Sequence, residues 1–278
     1  MPDMHTTVKS FRNLPYTDSD DPKQKLDLFV PVREEPCQEE SPIIVYIHGG
    51  AWRTGDKSEY EFLGEYFASR DFPTAVLSYR LSTKTPTSVR HPTHVQDCAD
   101  AIHWLYTQSA AYLGYRPSSI YLIGHSAGGQ ITGLLTLDPS WLENLGGISL
   151  WEAVKGVVGV EGIYDIPKLV EVWPTYVDFI QMAFAEDTDT WRRASPQYYA
   201  LEDRKLPPYL VVHSPEDELI EVAHSERYFK HLETMGARVL LNTEVRGKHF
   251  EMLREKAFFD IVINFINESQ LAKGSAVE

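Results

Sequence analysis

The residue pattern of this chain predicts an α/β fold: a mostly parallel sheet covered by helices on both faces. Three observations carry that expectation. Short continuous apolar runs such as IIVYIH (43–48) and SIYLIG (119–124) mark strands buried on both faces. Segments with apolar residues at helical spacing lie between such runs, so strands and helices alternate. The 278 residues can enclose a large core without disulfides or a structural metal. A single domain over 1–278 is expected.

The elements follow in order. Residues through about 20 read as a polar tail, with TDSDDPKQ as a turn-rich connection. KLDLFVPV alternates and carries β-formers, so it reads as a strand ended by Pro31 or soon after. REEPCQEES is a charged loop, and IIVYIH the first fully buried strand. Leu63, Tyr66 and Phe67 place a helix over 58–70, and TAVLSYR (74–80) is again a buried type of strand. Val95, Ala99, Ile102 and Leu105 form one stripe of a helix over 92–113. SIYLIG is a strand, Ala127 to Leu137 a helix, and VKGVVGVEG (154–162) a strand. PYLVVHS (208–214) and ARVLLNTEV (237–245) are strands flanking a helix marked by Val222, Phe229, Leu232 and Met235. Residues 251–267 close the chain as a helix, and the terminal AKGSAVE is expected to fray. The interval 163–200 breaks the rhythm, with eight aromatic residues including Trp173, Tyr176 and Phe179 and no strand signal. It reads either as a helical crossover or, our preference, as a small helical cap beside a pocket.

Composition narrows the function classes. Forty acidic against 26 basic residues give a net charge of −14. A general binder of nucleic acid or of an anionic membrane needs the opposite balance. Two cysteines, Cys37 and Cys98, cannot build a disulfide framework and fit a reducing compartment. The first residues lack the apolar core of a signal peptide, and no run reaches the ~18 apolar residues of a membrane span, so a cytoplasmic location is expected.

The chemistry-bearing motif is Gly124-His125-Ser126-Ala127-Gly128, set where a buried strand meets a helix. A nucleophile lifted from a sheet edge needs a very tight turn, and a Cβ two residues before or after it would clash. The following helix directs its N-terminus at developing negative charge. His48-Gly49-Gly50-Ala51-Trp52 follows another strand, and its glycines let backbone N–H groups turn outward as acyl-transfer chemistry requires. The N–H groups of Gly50, Ala51 and Ala127 are the candidate oxyanion donors. His48 reads as a brace for this loop, and Trp52 as either a core anchor or a pocket wall.

Serine needs a base, and the base an orienting acid. Of ten histidines, His249 lies just beyond a strand, at the carboxyl end where sites in parallel sheets gather. The acid should end the preceding strand, where Pro215-Glu216-Asp217-Glu218 follows PYLVVHS. Asp217 is preferred, with Glu216 and Glu218 solvated and Asp165, after the strand 154–162, as runner-up. His91, His94 and Asp97 have a spacing that could suggest a metal, but no further ligand cluster supports it. No Gly-rich phosphate loop is present in the sequence. No cofactor or metal is expected.

At these residues the chain resembles the α/β-hydrolase superfamily over roughly residues 24–268. HGGAW, GHSAG, GIYD (162–165) and ASPQYY (194–199) are most similar to the kynurenine formamidase group, and also to neighbouring small carboxylesterases. Ala51 stands where the usual lipase HGGG has its third glycine, and Trp52 follows. The resemblance implies a Ser126–Asp217–His249 triad acting on a small ester or aryl formamide. It further implies the conversion of N-formylkynurenine to kynurenine and formate, with Trp52 and Trp173 against the substrate. A short-chain carboxylesterase is the alternative. A hydrolase-like binding protein would carry a broken triad, and this one is complete in sequence.

Overall fold

Eight strands form one sheet in the order β1-β2-β4-β3-β5-β6-β7-β8. The structure is a computed structural model and describes residues 6–33, 42–84, 89–143, 149–201 and 204–274. The strands are β1 (Val8–Pro15), β2 (Lys25–Pro31), β3 (Ile43–Ile47), β4 (Thr74–Leu77), β5 (Ile120–His125), β6 (Val154–Val160), β7 (Tyr209–Val212) and β8 (Val239–Asn242). β1 and β2 are antiparallel to their neighbours, and β3 through β8 are all parallel. The helices are α1 (Glu61–Ala68), α2 (Thr93–Gln108), α3 (Ala110–Leu113), α4 (Ala127–Leu137), α5 (Ile166–Val172), α6 (Val177–Phe184), α7 (Thr188–Arg193), α8 (Val222–Thr234) and α9 (Lys256–Gly274).

The apolar runs have the predicted cause. In β3, Ile43, Val45 and Ile47 pack into a core shared with α2, α4 and α8, while Ile44 and Tyr46 pack on the opposite face with α1 and α9. All five residues are fully buried, because helices cover both faces. Every residue of α4 is buried as well, which explains why 127–137 shows no polar face.

Three expectations need correction. The polar N-terminal stretch contains β1, whose residues are exposed or half-buried because it is an edge strand; burial on one side leaves little apolar signature. The helix expected over 92–113 is divided into α2 and α3 at Ser109, whose hydroxyl donates to Leu105 O. β8, also an edge, is shorter than expected, with Leu240 45% exposed. The interval between β6 and β7 holds α5, α6 and α7. Cys98 is a buried free thiol. Cys37 and the last four residues lie outside the described residues. Among the described residues, no helix is long and apolar enough to cross a membrane.

Candidate active site

Ser126 sits between the end of β5 and the start of α4 at φ 54°, ψ −116°. A non-glycine residue at positive φ is strained, and the surroundings must enforce it. They do so through the backbone: Ser126 N donates to Val160 O at 2.9 Å, and Gly129 N donates to Ser126 O at 2.9 Å. The two flanking glycines are required. A Cβ on Gly124 would lie 2.2 Å from Gly128 O, and one on Gly128 would lie 2.1 Å from Ile47 O.

The loop after β3 turns through three positive-φ residues, Gly50 (105°), Ala51 (52°) and Trp52 (58°). It is closed by Arg53 N and Thr54 N, both donating to Gly50 O. The N–H groups of Gly50, Ala51 and Ala127 have no protein acceptor among the described residues. Ala127 opens α4, so the helix dipole adds to its N–H. His48 braces the loop as expected. Its Nδ1 is 2.6 Å from Gly49 O, Tyr79 donates to its carbonyl, and its ring lies between those of Tyr60 and Tyr79. Burial pulls its pKa down to about 4, which keeps it neutral.

Trp52 is a core anchor, which corrects its assignment as a substrate contact. It is fully buried, packs edge-to-face on Phe184 at 4.7 Å, and donates from Nε1 to Gln130 Oε1 at 2.9 Å. Gln130 in turn donates to Ala194 O at 2.7 Å, so one buried amide joins the loop, α4 and the segment after α7. Ser126 and His249 share a cavity of about 260 Å³ with Gly50, Ala51, Arg53, Thr54, Ile163, Leu219 and Ile220. Its aromatic walls are Tyr176, Phe179 and Phe250. Trp173, also expected against the substrate, is not among the residues lining this cavity and stacks on Tyr176 at 5.7 Å.

His249 Nδ1 donates to Asp217 Oδ2 at 2.8 Å, which leaves Nε2 as the basic nitrogen. Among the described residues no Ser126–His249 hydrogen bond is made. Such bonds are often long before substrate binds. Asp217 is oriented by Leu219 N and Ile220 N, both donating to Oδ1, and its Oδ2 lies 3.2 Å from His213 Nε2. Burial works against its charge, yet the hydrogen bonds from His213 and His249 hold its carboxyl well below the usual range. The runner-up Asp165 is elsewhere engaged. It caps α5 by accepting from Lys168 N at 3.0 Å, and it also accepts from Tyr198 Oη.

Four residues were not anticipated in these roles. Glu161, just after β6, is fully buried at φ 47°; its Oε1 accepts from Ser214 N at 3.1 Å and its Oε2 lies 3.3 Å from His249 Nδ1. His125 Nε2 donates to His249 O at 2.9 Å and lies 3.6 Å from Glu161 Oε2. Glu216 and Glu218, read as merely solvated, are exposed but accept from Gly247 N and His249 N. Burial depresses the basicity of His249, but Asp217 and Glu161 outweigh it and raise the pKa to about 9.

Two groups bring ligand-type atoms within 4.8 Å of one another: His125, Glu161 and His249, and Glu161, His213 and Asp217. The ring nitrogens that face the carboxylates are already committed, His249 Nδ1 to Asp217 and the Nε2 atoms of His125 and His213 to carbonyls. A metal here would have to break those bonds, so the set fits a hydrogen-bonded network better. The His91–His94–Asp97 spacing does not form a ligand set. His94 Nε2 bonds Ser82 Oγ, and Asp97 is held by Arg80 and Gln24.

The BD-FAE family model matches residues 26–232. The kynurenine formamidase of Meyerozyma guilliermondii is 29% identical over 232 residues, covering 80% of this chain and 83% of that protein. An isoprenylcysteine alpha-carbonyl methylesterase of Arabidopsis thaliana is 28% identical over 233 residues. That match takes in 80% of this chain but only 52% of the plant protein. Esterase B of Lactobacillus rhamnosis shares the fold at a TM-score of 0.78, with 20% identity, over 97% of this chain and 88% of that one. A thermophilic esterase from Thermogutta terrifontis does so at 0.70, also with 20% identity, over 96% and 95%.

Proposed function

The chain belongs to the BD-FAE family and is an α/β-hydrolase of the kynurenine formamidase and carboxylesterase group, and from that premise we propose that it cleaves an aryl formamide through Ser126. The observation that carries this reading is the 2.8 Å bond from His249 Nδ1 to Asp217, in a ring that lines the same small cavity as Ser126. His249 Nε2 takes the Ser126 proton as Oγ attacks the carbonyl. The N–H groups of Gly50, Ala51 and Ala127 receive the oxyanion. The imidazolium then protonates the departing amine, and a water activated by the same nitrogen releases formate from the formyl-enzyme. Asp217 holds the tautomer throughout.

The substrate class rests on the cavity. At about 260 Å³ it falls below the usual range for ligand pockets, roughly 300–1,000 Å³, and so favours a small molecule. A formyl group needs almost no acyl pocket. Tyr176 and Phe179, from the segment we take as a cap over about 163–200, offer faces to a flat aryl leaving group. Arg53 lines the cavity and places its guanidinium 5.0 Å from the Phe179 ring centre, which suits the carboxylate of N-formylkynurenine.

The test compares kcat/KM for N-formylkynurenine with a nitrophenyl ester series. A formamidase should prefer the formamide and decline steeply beyond acetate. A short-chain carboxylesterase would gain about 0.8 kcal/mol, close to fourfold, for each methylene its acyl channel buries. Butyrate or hexanoate winning, with the formamide untouched, replaces the formamidase reading with that alternative. Ser126→Ala should abolish both activities in a folded protein, and a fluorophosphonate should label Ser126 alone.

A further inference from the structure

We propose that Glu161 is a second carboxylate for His249, a positioning residue that shares the Nδ1 proton with Asp217 and lets the base keep its tautomer when one acid is lost. The proposal rests on the reading of His249 as the base, and its test uses a substrate that does not depend on the formamidase assignment.

The geometry is specific. Glu161 Oε2 lies 3.3 Å from the same Nδ1 that Asp217 Oδ2 approaches at 2.8 Å. Its other oxygen is fixed by Ser214 N at 3.1 Å, so the carboxylate cannot swing away without stranding a buried donor. The side chain is fully buried, and its ion-pair partners among the described residues are two imidazoles, His125 and His249. Burial lowers the pKa of His125, so that ring stays neutral. The positive charge available to Glu161 is therefore the His249 imidazolium, the species formed when the base takes the serine proton. A fold that needed only packing here would be better served by an apolar side chain. Glu161 also adopts φ 47°, a conformation that a non-glycine residue holds only when its surroundings enforce it.

His249 is faced by charged or titratable groups from every neighbouring element. Asp217, with His213 behind it, follows β7, and Glu161 follows β6. The ring of His125, at the end of β5, is 4.6 Å away. Glu218 accepts from the backbone N–H of His249, and Arg53 lines the shared cavity. Two carboxylates therefore act directly on the ring. Both favour the imidazolium, which agrees with a pKa raised to about 9. The sign follows. The base works only when neutral, so a raised pKa moves the acid limb of the rate profile to higher pH, and removal of one carboxylate moves it back.

The experiment measures kcat/KM for nitrophenyl acetate from pH 5 to 10 in wild type, Glu161→Gln, Asp217→Asn and the double variant, each checked for folding by circular dichroism. Glu161→Gln should shift the limb down by about one pH unit while keeping its high-pH plateau within about tenfold of wild type. Asp217→Asn alone should lose roughly 10²- to 10³-fold, short of the ~10⁴-fold of a triad with a single acid, and the double variant should reach that full loss. An unmoved limb in folded Glu161→Gln overturns the proposal, and so does the full loss in Asp217→Asn alone. If Glu161→Gln does not fold, the Asp217→Asn arm decides by itself. Failure of the triad reading is separate: Ser126→Ala would then hydrolyse the ester as wild type does.

Discussion

Arg53→Gln tests what the cavity recognises. Among the described residues, Arg53 is the only Lys or Arg lining the cavity, in a chain of net charge −14, and its guanidinium packs over Phe179. Two unit charges 4 Å apart interact by about 1 kcal/mol in water and about 4 kcal/mol at an effective dielectric of 20. Arg53 is exposed, so the wet end applies, and about 1 kcal/mol is the expected loss for an anionic substrate. That corresponds to roughly fivefold in kcat/KM. The carboxylate of N-formylkynurenine is remote from the reacting carbonyl and binds alike in ground and transition states, so the loss should fall on KM. Steady-state kinetics on N-formylkynurenine and nitrophenyl acetate, at low and high salt, give the readout. The neutral ester should change far less, and added salt should shrink the difference between the enzymes. Equal losses on both substrates would mean that Arg53 only supports Phe179 and the loop. No loss on the formamide would remove the carboxylate from this position.

Three further outcomes are expected. Asp165→Asn should keep kcat/KM within about twofold and cost well under ~1 kcal/mol in denaturant unfolding, because Asn caps a helix as well as Asp; a large loss of activity in the folded variant would return the acid to Asp165. Trp52→Phe removes the donor to Gln130 Oε1 and should lower stability by about 1–3 kcal/mol and reduce kcat, since the buried acceptor is stranded; an unchanged denaturation midpoint with a raised KM would make Trp52 a pocket wall after all. In wild type, kcat/KM should rise with pH along a limb whose apparent pKa lies above 6.5, toward about 9, because His249 must lose its proton to act; a flat profile from pH 5 to 8 with chemistry rate-limiting excludes a histidine base.

What could be read from sequence divides along physical lines. β3, β5 and β7 were legible because burial on both faces leaves an uninterrupted apolar run, whereas β1 is an edge strand with a polar face and left no such mark. Ser126 and its glycines were legible because the backbone there admits few residue types. Asp217 and His249 stood out by their places beyond strand ends, and the structure brings their side chains to 2.8 Å. Trp52 was ambiguous because one aromatic beside a glycine loop can face the core or the cavity, and only tertiary packing against Phe184 and Gln130 decides. Glu161 was missed because one carboxylate among 40 acidic residues carries no sign of burial. The runner-up for the triad acid, Asp165, lies beyond the same strand end, four residues after Glu161. The available signal was an acidic residue closing the apolar run VVGVE, where solvent access is least expected.

The sheet order gives a reason for two carboxylates at one imidazole. Ser126, Glu161, Asp217 and His249 follow β5, β6, β7 and β8, four consecutive neighbours in the sheet. Adjacent strands lie about 4.8 Å apart, so a residue leaving β8 must come back across roughly 14 Å to reach the serine after β5. Its loop therefore passes over the ends of β7 and β6 and meets whatever those ends present. Each crossing is fastened. Gly247 N donates to Glu216, Ser214 Oγ donates to Gly247 O, His249 N donates to Glu218, and His125 donates to His249 O. The ring itself meets Asp217 from the β7 end and Glu161 from the β6 end. Either strand end can supply an orienting acid under this geometry, and a chain with carboxylates at both holds the His249 ring from two sides. The position of the base is thus set by three strand ends rather than by the β8 loop alone. Shortening that loop should therefore damage catalysis even where the triad residues are kept, while leaving the sheet that carries them in place.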